Sequence, residues 1–144
     1  MKVVHNIRIE VFLYPTEDFK KVKKSLDLIL PEKAKIEKEE VESYYGPAIG
    51  RLTYFTDKAA DIKRILGNIV SNLSEEDRRE IIGGLDKRLD ENGSLFLRFD
   101  KQSAYNGKLI LGYQGDVIKT EVKLASYPVT LNNLKHNAKI IFEG

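Results

Sequence analysis

Arg98, Asp100, Lys101, Gln102, Tyr105, Asn106 and Lys108 crowd into eleven positions of the segment Leu-Arg-Phe-Asp-Lys-Gln-Ser-Ala-Tyr-Asn-Gly-Lys-Leu, Leu97 to Leu109. The segment reads as the end of a strand, a polar loop and the start of another strand. Polar groups on a loop between strands serve binding more often than packing. This mixture suits a nucleic acid: cations for phosphate, amides for base edges and a ring for stacking. Arg98, Lys101 and Lys108 are expected to contact phosphates, and Gln102 sugar or base edges. Tyr105 is expected to stack or to orient the loop, and Gly107 to permit a turn with positive φ. The competing reading is a charged turn whose acids and lysines pair with one another.

Other chemistries find little material. The chain has two histidines, His5 and His136, and no cysteine, which excludes a Cys/His zinc site. His5 falls on the apolar face of the first expected strand and reads as a partly buried, hydrogen-bonded histidine. No Gly-x-Ser-x-Gly elbow and no glycine-rich phosphate cradle occurs. No catalytic residue, metal or cofactor is therefore expected.

The 144 residues fit a single domain spanning the whole chain. Net charge is +2, too small for global attraction to a polyanion. From residue 94 onward, however, seven basic residues face four acidic ones, so the positive excess lies in the third that holds the polar loop. No apolar run approaches the roughly 20 residues of a membrane span, and a soluble, cytoplasmic protein is expected.

The elements that must position the loop follow from periodicity. Val3 to Leu13 alternates in strand fashion, with Arg8, Phe12 and Tyr14 in the set opposite Ile7, Ile9 and Val11. Thr16 is placed to cap a helix with the stripe Phe19, Val22, Leu26, Ile29 and Leu30, ended by Pro31. Ile36–Tyr45 and Ile49–Phe55 suggest a hairpin about Gly46-Pro47. Asp57 is placed to cap a second helix through Leu73, and Ser74 a third that crosses Gly83-Gly84. Strands follow at 94–99, 108–111 and 116–125. Thr130 is placed to cap a last helix with Leu131, Leu134, Ala138, Ile141 and Phe142 inward. The order β-α-β-β-α-α-β-β-β-α implies an α+β two-layer sandwich, a mainly antiparallel sheet with helices on one face.

Two surfaces could extend the loop. Lys20, Lys21, Lys23 and Lys24 cover the polar side of the first helix, either as a solvated face or as phosphate contacts. Lys119 and Lys123 alternate with Ile118, Thr120, Val122 and Leu124 on the last strand. If they share an open sheet side with Arg8 and Phe12, that surface mixes rings with cations, as base-stacking platforms do. A subunit interface would have the same makeup.

The residues also resemble a known family. Val4 to Pro31, with Ile-Arg-Ile-Glu-Val-Phe and Pro-Thr-Glu-Asp, is similar to the opening of an archaeal family of predicted RNA-binding, exosome-associated proteins. Leu97 to Leu109 resembles that family's most specific segment, Arg-x-Asp-Lys-Gln-x-Ala-Tyr-x-Gly, and Val117 to Pro128 its closing strand with Ala-x-Tyr-Pro. The family turn Gly-x-x-Gly-Asn-Pro is replaced here by Ser-Tyr-Tyr-Gly-Pro-Ala at 43–48. The resemblance implies a compact sandwich similar to double-stranded-RNA-binding domains or to a large-subunit ribosomal protein. It implies RNA as ligand without chemistry, and exosome subunits as partners. Its site residues map onto Arg98, Lys101, Gln102, Tyr105 and Gly107.

Taken together, the residues imply a non-catalytic RNA-binding domain whose contacts are Arg98, Lys101, Gln102, Tyr105, Gly107, Lys108, Lys119 and Lys123. The alternative is a homodimeric scaffold that uses the open sheet face and binds no nucleic acid.

Overall fold

A strand whose alternate residues are apolar must lay one face on a core, and four segments of this chain obey that rule. In the computed structural model, which describes residues 2–42 and 46–143, they form strands β1 (Val4–Leu13), β3 (Ile49–Thr56), β4 (Ser94–Asp100) and β5 (Val117–Leu124). A short charged strand, β2 (Glu37–Val41), completes a five-stranded sheet in the order β2-β3-β1-β5-β4, with every pairing antiparallel. The helices are α1 (Phe19–Ser25), α2 (Ala59–Asn72), α3 (Glu75–Gly83), α4 (Leu85–Arg88), α5 (Lys101–Tyr105) and α6 (Leu131–Glu143). The fold is α+β, as its periodicity implies.

Register aligns the apolar sets. Ile7 lies opposite Val122, Ile9 opposite Tyr54 and Thr120, and Leu95 opposite Val122. These side chains are buried with Val11, Leu52, Leu97, Phe99 and Ile118. Ile62, Ile65 and Ile69 of α2 and Leu134, Ala138 and Phe142 of α6 join the same core. The two sheet edges are guarded differently. On β2, Glu37, Lys38, Glu39 and Glu40 are all exposed, and charge on an edge resists pairing with other chains. Beside β4, the segment around Ile110–Gly112 bonds to the backbone, Asp100 N–H donating to Ile110 O and Gly112 N–H to Arg98 O.

Local chemistry sets several boundaries away from their expected places. Asp18, not Thr16, caps α1, its carboxylate accepting from Lys20 N–H at 3.0 Å. The helix stops at Ser25, and Leu26, Ile29 and Leu30 enter the core from tight turns. Phe19 stays exposed. The backbone of Lys58 caps α2 in place of the Asp57 side chain. Ser74 does cap α3, accepting from Asp77 N–H at 3.1 Å. The Gly83-Gly84 pair ends that helix and starts α4, because two residues without side chains favour the helical state least. Thr130 caps α6, but Leu131 is exposed. The expected strand at 108–111 reduces to one bridge, Phe99 with Leu111, and α5 occupies part of the expected loop. The expected second strand extended to Tyr45; Ser43, Tyr44 and Tyr45, with the turn they begin, lie outside the described residues.

His5 departs from its expected face. A register shift between Val4 and Asn6 places one extra residue in β1, so Val4 and Ile7 both point inward and His5 turns to solvent.

One core position is polar. Thr120 is buried between Ile9 and Leu97, and among the described residues its hydroxyl has no hydrogen-bond partner. Thr120→Val keeps the shape and removes the unpaired group. It is expected to stabilise the fold by about 1 kcal/mol in urea unfolding; a loss of stability would show that the hydroxyl is satisfied.

Candidate nucleic-acid interface

The sheet face opposite the core gathers cations and rings from four strands. Alternation turns Arg8, Glu10 and Phe12 of β1, Arg51 and Phe55 of β3, Phe96 and Arg98 of β4, and Lys119 and Glu121 of β5 away from the buried set. Phe55 and Phe96 are 49% and 43% exposed, large values for phenylalanine on a sheet. Arg8 lies opposite both Phe55 and Glu121, with its guanidinium 5.3 Å from the Phe55 ring centre. The Lys119 ammonium sits 5.6 Å from the Phe12 ring centre. Such cation–π contacts hold rings and charges in a fixed array at little cost.

Two cations stand directly opposite one another at the centre of β4 and β5. Arg98 pairs in register with Lys119, and like charges in that position repel. Glu10 and Glu121 lie nearby and temper the repulsion. Among the described residues Arg98 has no carboxylate in ion-pair contact, whereas Arg51 is paired with Glu39. Arg8, Phe96, Arg98 and Lys119, with the two glutamates, line a shallow hollow of about 250 Å³. A hollow lined by three cations, two carboxylates and a ring could take a phosphate with its attached base.

The expected site residues divide between this face and the other side of the molecule. Arg98 and Lys119 lie on the open face. Lys123 shares their strand face, but its ammonium donates to the Asn92 carbonyl. Gln102 is exposed and Tyr105 half-buried on α5, which packs on α1; the Lys24 ammonium is 5.4 Å from the Tyr105 ring centre. Lys20, Lys21, Lys23 and Lys24 are all exposed there. Gly107 has φ +88°, the left-handed turn expected of it, and Lys108 beside it is exposed.

Lys101 departs from expectation. Its side chain is buried, and its ammonium donates to Phe12 O at 2.8 Å, Glu17 Oε1 at 2.7 Å and Asp116 Oδ2 at 2.7 Å. An ammonium has three donors, and here all three are engaged, leaving none for a phosphate. The same charge clamps the end of β1 to the segment before α1 and to the residue before β5. Asp100 supports the turn by accepting from Ser103 N–H and Ser103 Oγ–H. Gly112 is needed opposite it, since a Cβ there would lie 2.9 Å from Val117 Cγ1 and 3.1 Å from Asp100 N.

Phe55, Phe96 and Arg51 escaped the sequence reading. The signal was present for one of them: Phe96, like Arg98, alternates with Leu95, Leu97 and Phe99 as Arg8 does with Ile7 and Ile9. No helix among the described residues is long and apolar enough to cross a membrane.

The clamp has a direct consequence. Lys101→Ala leaves two partly exposed carboxylates and the Phe12 carbonyl without their donor, and is expected to cost about 2 kcal/mol of stability. Arg98→Ala should leave stability within about 0.5 kcal/mol of the parent, as for an exposed surface residue. Urea unfolding of the pair checks both; equal effects would refute the division of roles.

The model of a family described as RNA binding matches residues 6–124. The RNA-binding protein PAB1135 of Pyrococcus abyssi (strain GE5 / Orsay) is 34% identical over 130 residues, covering 87% of this chain and 84% of its own. Among solved structures, protein AF2318 from Archaeglobus fulgidus superposes with a TM-score of 0.87 at 28% identity, covering 96% of this chain and 99% of its own. Mth689, a DUF54 protein from Methanothermobacter thermautotrophicus, gives 0.82 at 30% identity, with 98% and 99% covered.

Proposed function

The chain belongs to this RNA-binding family, and from that membership we propose that its open sheet face is a non-catalytic platform for RNA. The observation that carries the proposal is the Arg98–Lys119 pair, neither in an ion pair among the described residues, set beside Phe96, with Phe55 and Arg8 on the neighbouring strands. Arg98, Lys119 and Arg8 bind successive phosphates. Phe96 and Phe55 stack on unpaired bases, which every base permits because each presents a π face.

The remaining expected residues take secondary places. Lys108 and Lys123 extend the positive field at the edges of the platform. Gln102 and Tyr105, with the lysines of α1, offer a flanking surface to a longer RNA, and Gly107 sets the turn that presents Lys108. Lys101 acts through position alone, by holding the ends of β1 and β5 together. An accessory role in RNA processing beside exosome subunits is the finer form of this reading, supported by the resemblance of Leu97–Leu109 and Val117–Pro128. The cytoplasm would be its place of action.

A homodimer closed over the same face is the rival, since exposed Phe55 and Phe96 would suit it equally. Filter binding of a single-stranded RNA across a salt series separates the two. Arg98→Glu and Lys119→Glu are each expected to weaken binding and to flatten the salt slope by about 0.7 per lost phosphate contact. Phe55→Ala and Phe96→Ala should each cost about 1–3 kcal/mol of binding. RNA affinity that ignores salt and all four changes would refute the platform, as would a stable dimer in sedimentation that Phe55→Ser and Phe96→Ser dissolve.

A further inference from the structure

The two histidines of the chain are 131 positions apart, yet they line one cavity. His5 reaches it because the irregularity in β1 turns that residue outward, and His136 because it lies on the polar side of α6. The cavity has a volume of about 780 Å³ and opens to solvent where the start of β1, the segment after β5 and α6 meet. Lys2 and Tyr127 complete its wall, and the Tyr127 ring is fully exposed.

The rest of the wall is held by hydrogen bonds. Asn137 Nδ2 donates to Ala125 O at 2.6 Å, and Asn133 Nδ2 to Pro128 O at 2.9 Å. Ser126 Oγ donates to the same Pro128 carbonyl at 2.8 Å. The two asparagine bonds fasten α6 to the Ala125–Pro128 segment. They orient both amides so that each Oδ1 acceptor is left over, and among the described residues neither is bonded.

The titratable side chains lining the cavity are Lys2, His5, Tyr127 and His136; no carboxylate is among them. The cavity therefore combines a lysine ammonium, two imidazoles, an exposed ring and two amide acceptors. We propose that it binds a single nucleotide unit of an RNA strand, with the phosphodiester between Lys2 and the two imidazoles. The base stacks on Tyr127, and its amino group or the ribose hydroxyl donates to an asparagine Oδ1.

The site is on a different surface from the Arg98–Lys119 hollow, and its test is independent of that platform. Because the chain holds no third histidine, the imidazole proton signals in NMR report on this cavity alone. The probe is the dinucleotide ApA, titrated into the full chain. Both histidines' signals should shift together and saturate. Adenosine should bind at least several-fold more weakly than ApA. Tyr127→Ala, at an exposed position, should weaken ApA without altering the fold seen by circular dichroism, and His136→Gln should weaken the ApA response of the remaining His5 signal. Phe55→Ala and Phe96→Ala should leave the titration unchanged. Histidine signals that do not move, adenosine binding as tight as ApA, or loss of the response in the phenylalanine variants would each overturn the assignment.

Discussion

The sheet buries one face only, and that one-sidedness governs everything else in the molecule. Ile7, Ile9 and Val11 of the central strand, with Leu95, Leu97 and Phe99 at one edge, meet α2 and α6 in a single core. Period two then turns the intervening residues of these strands toward the open face. Arg8, Phe55, Phe96, Arg98 and Lys119 are neighbours because their partners in the alternation are core residues. A slip of one position would bring the cations into the core and drive the leucines out, so burial of one face specifies the array on the other. The open surface is thus the by-product of a packing requirement, with residue types on it that packing alone does not demand.

Charge is treated in opposite ways along β4 and just beyond its end. On the open face, Arg98 and Lys119 stand opposite each other in contact with water, where repulsion is screened and a passing anion relieves it. At the end of the same strand, the Lys101 ammonium is removed from water and its three hydrogens are each matched to an oxygen. A buried cation of that kind needs full pairing, and its partners come from two separate parts of the chain, Phe12 with Glu17 and Asp116. The same residue type stands in water in one setting and is a clamp in the other. The difference lies in the number of oxygens the fold places around it.

Much of the architecture was legible along the chain. Ile7 to Leu13, Leu95 to Phe99 and Ile118 to Leu124 alternate cleanly, and Ile62, Ile65 and Ile69 recur at helical spacing. These patterns report burial, and burial follows from side-chain chemistry. The misplaced elements are those settled by competition among local hydrogen bonds. Asp18 and Thr16 are both good caps, and only the path of the chain after Pro15 selects Asp18. Lys101 to Tyr105 could be a loop or a turn of helix; Asp100, accepting from Ser103, selects the helix. The expected strand at 108–111 has apolar residues, but a single bridge to Phe99 is all the pairing it finds.

Alternation along single segments determined that this chain forms an antiparallel sheet with one wet face, and placed Arg98, Lys119, Arg8 and Phe12 outside the core. Periodicity is a property of neighbours in sequence, so one segment suffices to reveal it. Which of those residues meet depended on register and strand order, set by packing between segments far apart. Only the tertiary structure could put β5 between β1 and β4, turn His5 outward at an irregular pairing, and close Glu17 and Asp116 around Lys101. Each of these needs partners from separate parts of the chain, whose meeting leaves no periodic trace in either part alone.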